Sequence, residues 1–258
     1  MREPHQKSQH ETTHFGFEDV PVSEKGGRVR DVFSSVAGSY DLMNDLMSMG
    51  LHRLWKSAFV GMVARRPGLR ILDVAGGTGD IAFGIRDGAR VGTQITVCDI
   101  TPDMLNVGRS RAVDRGILVR DDGIRWVCGD AEVLPAADSS FDVYTIAFGM
   151  RNVTNIPAAL AEARRGLRPG GQFLCLEFSR VVLPVIDQLY DRYSFSVLPW
   201  LGKQVARDEA AYRYLAESIR KFPDQAHYAE MIRYAGLDQV RVRNLSGGIA
   251  AIHGARRI

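Results

Sequence analysis

The chain has 258 residues, of which 45% are hydrophobic and 24% are charged, and its net charge at pH 7 is +3. This length suits one substantial α/β domain with a small cap and is short for two independent enzymatic domains. No apolar run reaches the roughly 18 residues of a membrane-spanning helix, and the dispersed positive charge argues against a nucleic-acid partner.

The N-terminal residues 1–28 are polar, contain glycine and lack the apolar stretch of a secretory signal. We predict a mobile tail here. Its histidines, His5, His10 and His14, have no Cys or carboxylate partner at ligand spacing, so no metal site is predicted. A single domain then begins at residue 29 with a helical cap, residues 29–66, made of two helices that break near Ser48-Met49-Gly50.

Apolar strands alternate with amphipathic helices across residues 67–182, which predicts a parallel sheet with helices on both faces. The strands are rich in Val, Ile, Leu and Phe, as is typical of strands buried on both sides. They are predicted at residues 69–74, 94–98, 125–128, 141–147 and 172–178. Helices are predicted at residues 79–86, 102–115 and 156–167, the second with Thr101 as N-cap and Pro102 at its first position.

The remaining residues predict a lid and a closing pair of strands. Residues 183–236 are mostly helical and aromatic-rich, and residues 190–200 are a candidate surface for an apolar substrate tail, with core packing of the same rings as the alternative. Residues 237–258 close the sheet with strands at 239–244 and 248–253. The basic residues from His253 to Arg257 are interpreted as a solvated chain end, with contact to an anionic membrane surface as the alternative.

A glycine-rich turn joins the first core strand to the helix after it. It reads Asp73-Val74-Ala75-Gly76-Gly77-Thr78-Gly79-Asp80. Glycine lets the backbone turn sharply and approach a ligand, and the free N–H groups of a helix start favour an anionic group. The run Gly77-x-Gly79-x-x-Ala82 also fits a relaxed dinucleotide fingerprint, so the turn alone leaves both a nicotinamide-dependent dehydrogenase and a methyltransferase open.

The ends of the later strands add landmarks in a fixed order. Asp99 ends the second strand, where an acidic residue binds ribose hydroxyls; a simple helix-start residue is the alternative. The third strand ends in Gly129-Asp130-Ala131, the fourth begins with Phe141-Asp142, and Pro169-Gly170-Gly171 precedes the fifth. This order resembles the class I S-adenosylmethionine-dependent methyltransferases, which implies a Rossmann-like α/β fold with a seven-stranded, mostly parallel sheet.

The same resemblance implies S-adenosylmethionine as the cofactor. It places Asp130 and Ala131 at the adenine, and Thr78 beside the Gly77 backbone at the methionine end. The residues expected to bind the cofactor are Asp73, Gly77, Thr78, Asp99, Asp130 and Ala131.

Several further segments narrow the family. They are residues 40–55, Phe148-Gly149-Met150-Arg151-Asn152-Val153, Leu176-Glu177-Phe178-Ser179, Tyr214-Leu215-Ala216-Glu217-Ser218-Ile219 and Asn244-Leu245-Ser246-Gly247-Gly248. Together they resemble the ubiquinone and menaquinone biosynthesis C-methyltransferases over nearly all of the chain after residue 28. Gly166 and Arg168 depart from that family's more frequent Val and Lys, and Ala147 stands where some relatives have Ser.

The resemblance implies that a polyprenylated benzoquinol, a demethylmenaquinol, or both receive a methyl group on a ring carbon. Arg151 and Asn152 follow the fourth strand, at the edge where open α/β sheets bind ligands. We hypothesise that the protonated Arg151 stabilises a developing phenolate and that Asn152 orients the ring. The alternative is an arginine that ties strand ends together through a carboxylate.

Two residues of the cap complete the expected site. Tyr40 shares a helix face with Asn44 and is assigned to a substrate lid that closes over the cofactor. His52 is either a hydrogen-bonded residue near the helix break or a catalytic base.

The implied substrate also bears on location and partners. The three cysteines, Cys98, Cys128 and Cys175, are typical of reduced thiols in buried strands, so we predict a soluble, cytoplasmic protein. A polyprenyl tail requires contact with the inner face of the cell membrane or with other quinone-biosynthesis proteins. A non-catalytic, cofactor-binding subunit of such a complex is the alternative function, and a homodimer is left open.

Overall fold

The computed structural model describes residues 12–36, 44–45, 48, 50–117, 123–181 and 209–258. The predicted sites at Tyr40 and at residues 190–200 lie outside these residues. The strands are β1 Thr12–Phe15, β2 Glu18–Pro21, β3 Arg70–Val74, β4 Gln94–Asp99, β5 Ile124–Cys128, β6 Phe141–Ala147, β7 Leu167–Phe178, β8 Asp238–Leu245 and β9 Ala250–Arg256. The helices are α1 Val22–Val36, α2 His52–Met62, α3 Asp80–Asp87, α4 Pro102–Asp114, α5 Ile156–Gly166, α6 Glu209–Lys221 and α7 Gln225–Tyr234.

The main sheet has seven strands in the order β5-β4-β3-β6-β7-β9-β8. The first five strands run parallel, and β9 is antiparallel to both of its neighbours. The chain moves outward from β3 through β4 to β5 and then returns to place β6 on the other side of β3. The carboxyl ends of β3 and β6 therefore flank the switch point at which such sheets bind ligands. This topology confirms the predicted fold.

Helices cover both faces of the sheet, as predicted. Consecutive residues of β3 alternate between two apolar cores: Ile71 packs into one and Leu72 into the other. The first core contains buried side chains of α1, α2, α3, α4 and α6, and the second contains those of α5 and α7. A strand with both faces covered must be apolar on both, which explains why the sequence showed runs rather than alternation.

The predicted boundaries of the core elements are close to the observed ones. One strand start and one predicted capping interaction differ. Strand β7 begins at Leu167, before the Pro169-Gly170-Gly171 segment, because Phe141 pairs with Leu167 ahead of a register shift in β6. Thr101 occupies the N-cap position of α4, but its hydroxyl makes no capping hydrogen bond.

The prediction of a mobile tail through residue 28 is wrong from residue 12 onward. Strands β1 and β2 form an antiparallel hairpin around Gly16, and α1 begins at Val22. The aromatic ring of Phe15 stacks on Tyr214 of α6 at 4.1 Å, and the Phe17 N–H donates to the Glu217 carboxylate at 3.0 Å. The hairpin is stabilised by a helix about 200 positions away, which a local reading of composition could not detect.

The prediction that the basic chain end is a solvated tail is also wrong, whereas its contact with a membrane surface stays a prediction. Strand β9 lies between β7 and β8, and His253 is 1% exposed. The Arg257 guanidinium donates to the Ser139 hydroxyl at 3.1 Å and to the Leu167 carbonyl. His253 and Arg256 are therefore part of the sheet, and Arg257 is bonded to residues beside it. Within the described ranges, no helix combines the length and apolarity needed to cross a membrane.

Candidate active site

A cavity opens at the carboxyl ends of the central strands, with a space of about 1050 Å³ that includes the solvent at its mouth. Its floor is the glycine turn after β3, and α1 covers it with Gly26, Val29 and Phe33. The predicted site residues on its wall are Asp73, Gly77, Thr78, Asp99, Asp130, Ala131 and Asn152. Seven side chains or backbone segments chosen from separate strand ends thus converge on one cavity.

The glycine turn needs glycine at the positions that leave β3 and start α3. Gly77 and Gly79 have φ angles of 52° and 87°, a region that L side chains rarely adopt. A Cβ on Gly79 would lie 2.6 Å from the Trp126 ring, and one on Gly77 would lie 3.0 Å from the Met104 methyl group. The turn therefore leaves an open backbone surface toward the cavity.

Asp99 lies at the end of β4, with 8% of its surface exposed. One carboxylate oxygen accepts the Gly77 N–H at 2.9 Å, and the other accepts the Thr101 N–H at 2.8 Å. Burial raises the pKa of this carboxyl, and the backbone N–H groups oppose that shift. The side chain is held rigidly at the cavity wall, with a second lone pair on each oxygen for a ligand.

Asp73 is buried more completely, and its two oxygens differ. Oδ1 accepts the Thr145 hydroxyl at 2.8 Å, whereas Oδ2 has no hydrogen-bond partner among the described residues. Burial raises the pKa of Asp73 to about 7. A buried carboxylate oxygen without a donor is costly, and a cationic or hydrogen-bonding ligand would remove that cost.

A cluster of charged side chains beside the turn was missed by the sequence analysis. The Asp80 carboxylate pairs with Lys56 at 2.7 Å and with Arg111 at 3.0 Å, and Arg111 also donates to the Thr78 hydroxyl at 2.9 Å. Both Lys56 and Asp80 line the cavity. The position of Asp80 directly after Gly79 was the available signal, but its partners come from α2 and α4.

The segment after β5 forms the next part of the wall. The Asp130 carboxylate accepts the Glu132 N–H at 2.9 Å, and Ala131 follows it on the cavity surface. Glu132 in turn accepts the N–H groups of Thr154 and Asn155 at 2.8 and 3.0 Å. These bonds tie the loop after β5 to the loop after β6. Ala147 also lines the cavity, so no hydroxyl is supplied at the position where some relatives have Ser.

The structure places Arg151 differently from Asn152. The Arg151 guanidinium pairs with Glu177 at 2.7 Å and donates to the Phe148 carbonyl at 2.6 Å, and both charged side chains are 1% exposed. Over the described residues the cavity lining includes Asn152 but not Arg151. This geometry favours the second interpretation, in which the arginine ties strand ends together through a carboxylate.

Asn152 faces the cavity from the short turn after β6. Its Oδ1 accepts the Tyr214 hydroxyl proton at 3.1 Å, and its Nδ2 lies 3.5 Å from the Phe148 carbonyl. Asn152 was predicted as a site residue, whereas the sequence predicted no role for Tyr214 or Glu177. Both lie in family-like segments, which was the signal that something specific was required there.

Helices α1 and α2 carry three buried residues whose contacts are structural. Lys25 of α1 is 1% exposed and donates to the Val153 carbonyl at 3.1 Å, and burial lowers its pKa. His52 bonds to Asp45 at 2.8 Å and burial lowers its pKa, in keeping with its structural interpretation. Trp55 is 3% exposed and packs edge-on against Phe178, so it belongs to the core.

The sequence matches known proteins over nearly its full length. The model of the ubiE/COQ5 methyltransferase family matches residues 22–257. The chain is 58% identical over 241 residues to the ubiquinone/menaquinone biosynthesis C-methyltransferase UbiE of Paracoccus denitrificans, covering 93% of this chain and 95% of that one. It is 55% identical over 247 residues to the protein of the same name from Cereibacter sphaeroides, covering 96% and 97%.

Solved structures agree on the fold. A SAM-dependent methyltransferase from Thermotoga maritima superimposes with a TM-score of 0.61 at 17% identity, covering 88% of this chain and 99% of that one. Another from Aquifex aeolicus gives a TM-score of 0.59 at 15% identity, covering 87% and 98%. The shared fold and the match over residues 22–257 lead to one conclusion: the chain belongs to the ubiE/COQ5 methyltransferase family.

Proposed function

We propose that this protein is an S-adenosylmethionine-dependent C-methyltransferase that methylates a ring carbon of a polyprenylated quinol in ubiquinone biosynthesis, menaquinone biosynthesis or both. The observation that carries the proposal is the identity of 55–58% to two C-methyltransferases over more than 90% of each chain. The glycine turn alone left a nicotinamide-dependent dehydrogenase and a methyltransferase open, and membership of this family supports the methyltransferase.

The cavity wall fits the proposed cofactor. Asp99 offers a carboxylate to two adjacent ribose hydroxyls, and Asp130 with Ala131 offers an acceptor and a small apolar surface to an adenine. Oδ2 of Asp73, which has no hydrogen-bond partner in the described part of the chain, suits an ammonium group, and the open backbone at Gly77 admits the amino-acid part beside Thr78. When bound, the cofactor supplies an electrophilic methyl group.

The protein's part in the reaction is to position the acceptor ring and keep water out. A quinol ring carbon becomes nucleophilic when a neighbouring ring hydroxyl loses its proton, because the oxygen charge delocalises into the ring. Asn152 offers an amide to that oxygen, and Val29 and Phe33 of α1 cover the cavity with apolar surface. Alignment and exclusion of water are large contributions for a reaction whose methyl donor is already activated.

The substrate tail implies a further contact. A polyprenyl chain does not dissolve in water, so the enzyme collects its acceptor at a membrane surface or from another protein of the same biosynthesis. The segment proposed for the tail, residues 190–200, lies outside the described residues.

The decisive experiment is a methyl-transfer assay with the purified chain. The protein is incubated with S-adenosylmethionine and reduced short-chain demethylated benzoquinol or naphthoquinol, and the products are analysed by mass spectrometry. We expect a mass gain of one methylene unit on the ring of at least one acceptor. Asp99→Asn should weaken S-adenosylmethionine binding in calorimetry by about 10- to 100-fold, the value of a hydrogen bond to a charged group.

Asp103→Asn is the matched control. It makes the same chemical change four positions later, at an exposed residue of α4 outside the cavity lining. Cofactor binding without methylation of either acceptor would favour the non-catalytic alternative. Absence of cofactor binding by the unaltered protein would overturn the proposal.

A further inference from the structure

Tyr214 lies in a segment that resembles the family's sequences, and the reaction proposed above gives this segment no role. It lies on α6, is 4% exposed, and its hydroxyl reaches Asn152 across 62 positions of the chain. The same helix carries Glu217, which accepts the N–H of Phe17 in the N-terminal hairpin. One helix therefore connects the hairpin to the cavity wall.

The Tyr214 ring is held from behind by the hairpin. Phe15 stacks on it with ring centroids 4.1 Å apart and an angle of 18° between the planes. Glu217 fixes the hairpin turn one helical turn further along, where a Cβ on Gly16 would collide with the Glu217 carboxylate at 2.2 Å. These contacts leave the phenol a narrow range of positions, and its hydroxyl points to the Asn152 amide.

The hydrogen bond has a defined direction. Burial raises the pKa of Tyr214 well above its usual range, so the phenol stays protonated and donates. Its single proton goes to Oδ1 of Asn152. This bond favours the orientation in which the amide oxygen faces the Tyr214 hydroxyl. Its Nδ2 has only the long 3.5 Å contact to the Phe148 carbonyl among the described residues, so an N–H remains for a ligand.

We propose that Tyr214 is a positioning residue that fixes the Asn152 amide with its N–H group toward the acceptor oxygen, so that the site selects a ring bearing a phenolate-like oxygen. The inference rests on the proposed function and names the residue that determines which end of the Asn152 amide faces the acceptor. A fixed donor stabilises the negative charge that develops on that oxygen as the ring hydroxyl loses its proton.

The test compares Tyr214→Phe with Tyr144→Phe in the methyl-transfer assay. Both substitutions remove one buried hydroxyl, but the Tyr144 hydroxyl has no hydrogen-bond partner in the described part of the chain. For Tyr214→Phe we expect kcat to fall by about 10- to 100-fold, the cost of a misplaced catalytic contact, with S-adenosylmethionine affinity unchanged. Tyr144→Phe should leave kcat near the value of the unaltered protein.

Two readouts separate positioning from a loss of packing. A donor to the ionised oxygen of the bound acceptor lowers the pKa of that oxygen, so the acid limb of the kcat profile should move to higher pH in Tyr214→Phe. In the Asn152→Ala background, Tyr214→Phe should cause no further loss of kcat, because Tyr214 acts through Asn152. Additive losses in the double variant, or an unshifted profile, would overturn the proposal.

Asn152→Asp keeps the test open if Tyr214→Phe does not fold. It retains an acceptor for the Tyr214 hydroxyl and removes the N–H donor, so turnover should fall and the acid limb should again move to higher pH. Normal turnover by this variant would also contradict the inference. If the unaltered protein binds S-adenosylmethionine but methylates no quinol, the proposed function fails, and that result is distinct from any outcome among the variants.

Discussion

The two walls of the cavity are built on different principles. The β3 wall, defined by Asp73, Gly77 and Asp99, uses backbone turns and carboxylates at consecutive strand ends. Among the residues that the structure describes, Oδ2 of Asp73 has no hydrogen-bond partner. The β6 wall presents Asn152 to the cavity, and the Arg151–Glu177 ion pair and Tyr214 support it from outside the cavity lining. The first wall is arranged to receive a ligand's charges, whereas the second is arranged to hold a few atoms still.

The buried ion pair of the β6 wall gives the largest expected effect. Arg151→Met leaves Glu177 as an uncompensated charge at a site that is 1% exposed. Breaking such a pair destabilises a protein by about 3–5 kcal/mol. We expect the free energy of unfolding in urea to fall by that amount, while the folded fraction binds S-adenosylmethionine with nearly unchanged affinity because the β3 wall is intact.

Arg53→Met is the control for that substitution. Arg53 pairs with Asp45 at 2.5 Å, but its side chain is 69% exposed, and an exposed pair is worth about 0–1 kcal/mol. If Arg151→Met unfolded at the same urea concentration as the unaltered protein and yet lost turnover, Arg151 would act on the reaction itself. The distinction between a β3 wall that receives the ligand's charges and a β6 wall that holds atoms in position would then be wrong.

The glycine turn gives the next largest effect and tests the β3 wall. Gly79→Ala introduces a Cβ that meets the Trp126 ring at 2.6 Å, at a residue with a φ angle of 87°. Gly116→Ala is matched in backbone strain, with a φ angle of 68°, but among the described residues, chain neighbours aside, no atom lies within 4 Å of the added Cβ. Gly79→Ala should therefore lose about 1–3 kcal/mol more than Gly116→Ala in urea unfolding, which is the cost of overpacking.

The same pair of variants should differ in ligand binding. Displacement of the turn by the added methyl group should weaken S-adenosylmethionine binding in Gly79→Ala, and Gly116→Ala should bind normally in calorimetry. Equal stability and equal affinity in the two variants would show that the turn tolerates the contact with Trp126.

The β3 wall could be predicted from the sequence because its signals are local. A strand, a glycine turn and a helix follow each other within 20 positions, and Asp99 is placed by the end of the next parallel strand. Parallel strands in this topology bring their carboxyl ends to one edge, so a residue's place in its own strand predicts its place in the site. No long-range contact had to be inferred.

The β6 wall could not be predicted in this way. Glu177 and Tyr214 reach the Arg151-Asn152 segment from 26 and 62 positions away, and nothing in their own neighbourhoods indicates a partner. The hairpin at residues 12–21 is a similar case, since its stability depends on contacts with α6. The chain end was misread because its arginines follow an apolar strand: Arg256 ends β9, and the next residue, Arg257, donates to backbone carbonyls.

The smallest expected effect is a pH dependence of the β3 wall, and Asp73 is its source. Burial raises the pKa of Asp73 to about 7, whereas in the unfolded chain an Asp titrates near about 4. Between these values the folded protein binds more protons than the unfolded chain, so the Asp73 contribution to stability decreases as pH rises through that window. A ligand ammonium group requires the ionised carboxylate. Below pH 7, S-adenosylmethionine affinity should therefore fall by up to about tenfold per pH unit, with proton release on binding.

Calorimetry between pH 5.5 and pH 7.5 in two buffers of different ionisation enthalpy measures both quantities. Asp73→Asn is the control, because an amide retains an acceptor for the Thr145 hydroxyl but cannot ionise. That variant should bind more weakly at pH 7.5 and should lose the pH dependence. If the unaltered protein bound S-adenosylmethionine equally well at both pH values and released no proton, Asp73 would not receive the ammonium group. The unpartnered oxygen of the β3 wall would then need another ligand atom, and the contrast between a receiving wall and a positioning wall would rest on Asp99 alone.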